Sequence, residues 1–143
     1  MPLEVKDTRF GTIRYEEGDV IEVTDGLPGF RHLRRFLLIE SDELAPLKFL
    51  QSLEEPFLSF PLIDPRIVVP DYRADIDETG REGLELEEPK NALVYCIVTL
   101  AERPENSTAN LRAPLVINTA NMRAGQFILQ GAEYSVTEPL LRS

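Results

Sequence analysis

The chain has one cysteine, one histidine and too few bases to balance its acids. A single thiol, Cys96, cannot form an intrachain disulfide, which suits a reducing compartment. Cys96 lies inside the apolar run Leu93-Val-Tyr-Cys-Ile-Val98, where a thiol reads as a small buried hydrophobe whose raised pKa disqualifies it as a nucleophile. With no second His or Cys, a transition metal would rely on carboxylates, a poor donor set for zinc. Fifteen Lys and Arg against twenty-five Asp and Glu give a formal net charge of -10, a field that repels phosphate and argues against direct nucleic-acid binding. No apolar stretch reaches the length needed to cross a bilayer, and Met1-Pro-Leu-Glu-Val-Lys-Asp7 has no apolar leader core, so a cytoplasmic protein without a membrane partner is expected. A glycine-rich phosphate loop is also missing. Asp25-Gly-Leu-Pro-Gly29 has few glycines and a proline that removes one amide donor, and Ser52, Ser59, Ser107 and Ser135 lack the glycine elbow that lifts a nucleophile from a sheet.

What the sequence does have is a globular composition, 43% hydrophobic and 28% charged over 143 residues. That length fits one domain, 1–143, which buries roughly 70% of its unfolded surface. Eleven prolines and eight glycines predict frequent turns and short strands. Apolar runs bounded by Gly, Pro, Asp or Asn place strands at Gly11–Tyr15, Val20–Val23, Arg35–Ile39, Lys48–Leu53, Leu58–Ile63, Ala92–Leu100, Leu115–Asn118 and Gln126–Gln130. The longest, rich in β-branched and aromatic residues, is expected to be central. Asp64-Pro65, Pro70-Asp71, Arg103-Pro104 and Ala124-Gly125 read as turns. The fold class that follows is all-β in the main, a small antiparallel β-barrel-like or sandwich domain with at most one or two short helices. Asp75 to Leu86 is the candidate helix, with acids at its start, although Gly80 and Gly83 each cost about 1 kcal/mol there.

Several local patterns are candidate sites. Asp75-Ile-Asp77-Glu-Thr79-Gly80 begins like a calcium loop, but Leu86 stands where a bidentate carboxylate is required, so a solvated acidic face is the plainer reading. From Asp75 to Glu88 seven acids face a single base, Arg81, either a solubilising surface or a recognition patch for a basic partner. Arg31-His-Leu-Arg-Arg35 is a basic knot that either grips an anion or pairs with surface acids. Gln51, Asp71 and Asn110 stand beside apolar runs, where such groups either satisfy local backbone or meet a partner. Asn106-Ser107-Thr108 has glycosylation spacing, relevant only to a secreted chain. Two surface carboxylates acting as a hydrolase or lyase pair, and a calcium-tuned structural module, remain as other classes of function.

Short phrases recur in an order that resembles the FliW family of flagellar assembly factors. They are Asp25-Gly-Leu-Pro-Gly-Phe30, Leu50-Gln-Ser52, Phe60 with Asp64-Pro65, Asp71-Tyr72, Ile97-Val-Thr99, Thr108-Ala-Asn-Leu-Arg-Ala-Pro-Leu-Val-Ile-Asn118 and Gln126-Phe-Ile-Leu129. Val23 departs from the family in a position often aromatic, and the segment after Tyr72 is richer in acid and glycine. The resemblance implies a β-barrel-like protein without enzymatic activity, cofactor, metal or small-molecule substrate. Its implied partners are flagellin and CsrA, a translational regulator and RNA-binding dimer, whose repression of flagellin mRNA it relieves when flagellin is exported. Flagellin's terminal segments would suit an apolar groove or an exposed strand edge. The expected protein-binding residues are Gln51, Asp71, Tyr72, Asp75, Asp77, Glu78, Glu82, Glu85 and Asn110.

Overall fold

The computed structural model describes residues 3–130 and 133–140. Its strands are β1 (Leu3–Thr8), β2 (Gly11–Tyr15), β3 (Ile21–Val23), β4 (Arg35–Ile39), β5 (Lys48–Ser52), β6 (Ser59–Ile63), β7 (Ala92–Thr99), β8 (Thr108–Ala109), β9 (Leu115–Asn118), β10 (Arg123–Gln126) and β11 (Glu138–Pro139). Two short helices, α1 (Pro65–Val68) and α2 (Glu78–Gly83), fall between β6 and β7. None of the described helices is long and apolar enough to cross a membrane.

Seven strands close into a barrel in the order β7-β6-β5-β4-β3-β10-β9 and back to β7. The antiparallel expectation needs one correction, because β3 and β10 run parallel, with Glu22 opposite Arg123 and Val23 opposite Ala124. Geometry demands it: strand direction cannot alternate strictly around a ring with an odd number of members. The other barrel pairs are antiparallel. Because side chains alternate between faces, the register Leu38–Leu50–Phe60 across β4, β5 and β6 stacks one inward row. Phe36, Leu62, Tyr95, Leu115, Ile117 and Ala124 add to the interior, together with Ile21, Val23, Leu27 and Leu33. As expected, β7 is central: β6, β8 and β9 all pair with it.

The last barrel strand was misplaced by its apolar pattern. It is Arg123–Gln126 rather than Gln126–Gln130, and Ala124-Gly125, expected as a turn, lies inside it. Ala124 is fully buried in the barrel interior, and a Cβ at Gly125 would stand 3.0 Å from the Phe127 ring, so a glycine is favoured where β10 passes beneath that ring. Among the described residues, the apolar stretch that follows is held by two backbone bonds, Phe127 N to Pro114 O and Leu129 N to Arg112 O. Strand β1 was not anticipated. It pairs with β2, and the hairpin tip sets Phe10 edge-on to Phe49 with the Arg9 guanidinium over both rings.

A second core lies outside the barrel. Alternation points Val94, Cys96 and Val98 of β7 outward, where Val68 of α1, Tyr72, Ala109, Leu111 and Leu129 cover them. Here the Tyr72 hydroxyl donates to Leu111 O at 2.7 Å, and the Cys96 thiol lies 3.9 Å from the Tyr72 oxygen. Burial pushes the Cys96 thiol up from 9.0 to about 12 and raises the Tyr72 phenol as well. Both groups hold their protons longer folded than unfolded, so stability is complete below about pH 9 and declines as pH rises toward 12. We predict that native Cys96 resists alkylation at pH 8 while the denatured chain reacts, and that the urea midpoint falls between pH 8 and pH 10.5; rapid labelling of the native thiol would contradict this.

Candidate functional site

The two helices form one side of a trench against the first half of β7. At the end of β6 the chain turns away at Asp64, whose carboxylate accepts from Arg66 N at 2.9 Å and caps α1, with Pro65 in the first turn. An acceptor followed by proline is a strong helix start, so Asp64-Pro65 opens a helix instead of a simple turn. The chain passes through buried Tyr72 and reaches Asp77, which accepts from Gly80 N at 2.8 Å and caps α2. This cap accounts for the calcium-like spacing. Among the described residues, no group of three or more His, Cys, Asp or Glu side chains is placed to hold a metal ion. Helix α2 is shorter than the expected Asp75–Leu86 segment but lies within it. Its glycine at 80 is a packing requirement, since a Cβ there would stand 2.8 Å from Ile76 Cγ2 and 2.9 Å from Phe127 Cε1.

Between these walls and β7 lies a cavity of about 960 Å³, within the size range of binding pockets. Its rim carries the carboxylates of Asp64, Asp75, Glu78, Glu82, Glu85 and Glu87 against the cations Arg66, Arg81 and Lys90. Apolar surface comes from Ala74, Ile76, Leu86, Pro89 and the stretch Ala92–Tyr95. Glu85 pairs with Arg123 at 2.9 Å and Asp75 reaches Arg73 at 4.0 Å. Glu78, Glu82 and Glu87 are exposed, and among the described residues no cation lies within ion-pair distance of them. The trench therefore presents net negative charge over an apolar floor.

Two asparagines outside the expected site fix its wall to the barrel. Asn118 is 1% exposed, and its amide nitrogen donates to Leu84 O at 2.9 Å and Glu85 O at 3.2 Å. Asn121 adds a donor to Leu84 O at 3.0 Å. These bonds hold the end of α2, where Glu85 has φ of 54°. The available signal was an amide ending the apolar run Leu115-Val-Ile-Asn118, a buried polar group in need of partners. Replacing Asn118 by Ala should cost about 2 kcal/mol by leaving carbonyls underbonded, and should speed amide exchange from Leu84 to Leu86. A variant with wild-type exchange there would refute the anchoring role.

The expected partner-binding residues separate into two groups. Tyr72, Asp75, Glu78, Glu82 and Glu85 line the trench, exposed Asp77 caps the helix beside it, and Asp71 is exposed on the preceding turn without lining it. Gln51 and Asn110 do not join them. Gln51 is fully buried, and its nitrogen donates to the carbonyls of Ser52, Pro56 and Leu58, so it holds the β5–β6 hairpin and offers a partner no surface. Asn110 accepts from Arg112 N and Ala113 N, a local turn bond of the kind this residue favours. Tyr72 is 3% exposed and its hydroxyl serves Leu111, so it shapes the trench from below. The basic knot is tied to nearby groups: His32 meets Glu55, Arg35 meets Glu17, and Arg31 and Arg34 donate to carbonyls of the preceding turn.

The family profile described as FliW protein matches residues 4–140. The chain belongs to the FliW family. It is 41% identical over 140 residues to a flagellar assembly factor FliW of Caldanaerobacter subterraneus subsp. tengcongensis, covering 97% of this chain and 93% of that protein. A FliW of Bdellovibrio bacteriovorus is 35% identical over 136 residues, covering 95% of this chain and 78% of its own length. A crystal structure of the flagellar assembly factor FliW superposes with a TM-score of 0.91 at 31% identity, covering 99% of each chain. FliW proteins thus share this barrel, and the family's role is in flagellar assembly.

Proposed function

We propose that this FliW protein is a non-enzymatic, cytoplasmic flagellar assembly factor that binds flagellin and a CsrA-type RNA-binding dimer. Flagellin occupies it while subunits are plentiful. Export frees it to take up the dimer, whose grip on flagellin mRNA then weakens. The observation that carries this reading is the trench, where exposed Glu78, Glu82 and Glu87, with no cation in ion-pair distance among the described residues, stand over an apolar floor. A surface of that kind attracts basic protein surfaces. Docked beside an RNA-binding groove, it opposes the approach of phosphates without occupying the groove itself. The repulsion reaches about 10 Å at ordinary salt, so the trench must sit near the bound RNA. The reading gives no place to a carboxylate hydrolase or lyase, since the rim acids stand in solvent rather than converging in a deep pocket.

The test is affinity capture of the tagged chain from a flagellated host, with the captured proteins identified by mass spectrometry. Flagellin and a small RNA-binding dimer are the expected partners. Recovery of neither, from cells that express both, would contradict the proposal.

A further inference from the structure

Ala92, Leu93, Val94 and Tyr95 all border the trench. Successive side chains of a strand point to opposite faces, so four consecutive residues meet one cavity only along the strand's edge. Tyr95 marks the limit of that edge: its ring belongs to the barrel interior, its hydroxyl accepts from Lys48 Nζ at 3.1 Å and its backbone pairs with Leu115 of β9, so the main-chain groups on the trench side are those of Ala92 and Val94. The pairing scheme explains why this edge is open. Strand β6 pairs with β7 at Leu62–Ile97 and Ile63–Cys96 and goes no further, because the chain leaves at Asp64 to form α1. On the opposite edge, β9 covers Ala92 to Tyr95 fully. Among the described residues, the one backbone bond from Ala92–Tyr95 to the segment forming the trench wall runs from Ala92 N to Pro89 O.

We propose that this edge is a strand-addition site, taking one extended segment of a partner with Lys or Arg at alternate positions and small apolar residues between them. The open edge is about 13 Å long, enough for four extended residues. Main-chain bonds to the alternate N–H and C=O groups of β7 supply affinity whatever the sequence, and charge selects the occupant. Glu78, Glu82 and Glu87, which have no ion partner among the described residues, meet its basic side chains, while Val94 and Ile76 take the apolar ones. The same acids exclude a second copy of this chain, which would bring a net charge of -10 and an identical rim to the edge. Exposed edges commonly need such protection against self-association.

This inference rests on the trench being a protein-binding surface, and its test separates the two ideas. Fluorescein-labelled acetyl-Lys-Val-Lys-Val-Lys-amide is titrated into the intact chain, alongside a version N-methylated at both valines and a version with Glu in place of Lys. Amide exchange is followed by NMR. The basic peptide should slow exchange at Val94, whose N–H lies on the trench side of β7. N-methylation should weaken binding about tenfold for each backbone bond lost, and both the Glu peptide and the E78Q/E82Q/E87Q variant should also bind more weakly. Equal affinity for the methylated peptide, or binding without protection at Ala92–Tyr95, overturns strand addition. The exchange map is then repeated with purified flagellin and with the RNA-binding dimer. If either protein binds and leaves the edge unprotected, strand addition fails and the partner reading stands. Protection by the peptide with neither protein binding supports the edge and removes those partners.

Discussion

Replacing Gly26 by Ala is expected to destabilise the chain by on the order of 3 kcal/mol and to lower its melting temperature by about 10 °C. Two costs combine at this position. Gly26 has φ of 67°, and a Cβ on it would stand 2.5 Å from Arg31 Cα and 2.7 Å from Arg31 O. Those atoms are backbone and cannot swing aside as a side chain would. The turn they belong to also inserts Leu27 into the barrel interior, where it is 2% exposed, so distortion spreads into the core. Gly29 isolates the first cost from the second. Its φ is 82°, yet a Cβ there meets nothing within 4 Å, and Gly29→Ala should cost only about 1 kcal/mol. Equal melting temperatures for the two variants would show that the close approach to Arg31 is not what fixes the glycine.

The second large effect concerns binding. Changing Asp77 to Asn and Glu78, Glu82 and Glu85 to Gln should leave the melting temperature nearly unchanged, because Asn caps a helix as well as Asp and the Glu85–Arg123 pair is exposed, hence worth little. Antagonism of RNA binding by the CsrA-type dimer should nevertheless weaken by on the order of tenfold at low salt, and its salt dependence should flatten. A native-like variant with undiminished antagonism at low salt would separate the acidic face from the function.

The parts of the fold legible in the sequence are those written by local chemistry. Apolar runs bounded by turn residues at Arg35–Ile39 and Lys48–Leu53 and the β-branched run around Cys96 placed strands where they occur, the second ending one residue earlier, at Ser52. Asp25-Gly-Leu-Pro-Gly29 marked a turn whose glycines have positive φ. The errors arose where tertiary packing overrides local pattern. The apolar residues after Gln126 suggested a strand, but Phe127 packs against Gly80 of α2, and the strand falls on Ala124-Gly125, with Ala124 in the barrel core and Gly125 leaving room for the ring. Asp64-Pro65 reads equally well as a turn or a helix start, and only the departure of the chain from β6 decides between them.

The site was half visible for the same reason. Charge density singled out Asp75 to Glu88, and the structure gathers Asp75, Glu78, Glu82 and Glu85 on one trench. Gln51 and Asn110 were ambiguous because an amide beside an apolar run serves either backbone or partner, and here both serve backbone. The trench floor had no sequence signature at all. An open strand edge is a relation between Ile63, where one strand stops, and Ala92–Tyr95, where its neighbour continues.

The most direct test of the central claim uses purified components and native gels. A CsrA-type dimer is bound to flagellin leader RNA, the chain is added in increasing amounts, and flagellin monomer is then supplied. Release of RNA by the chain, with no shift of RNA by the chain alone, followed by recovery of the RNA complex on adding flagellin, is the predicted result. RNA that stays bound at saturating chain, or RNA that binds the chain itself, would contradict the account.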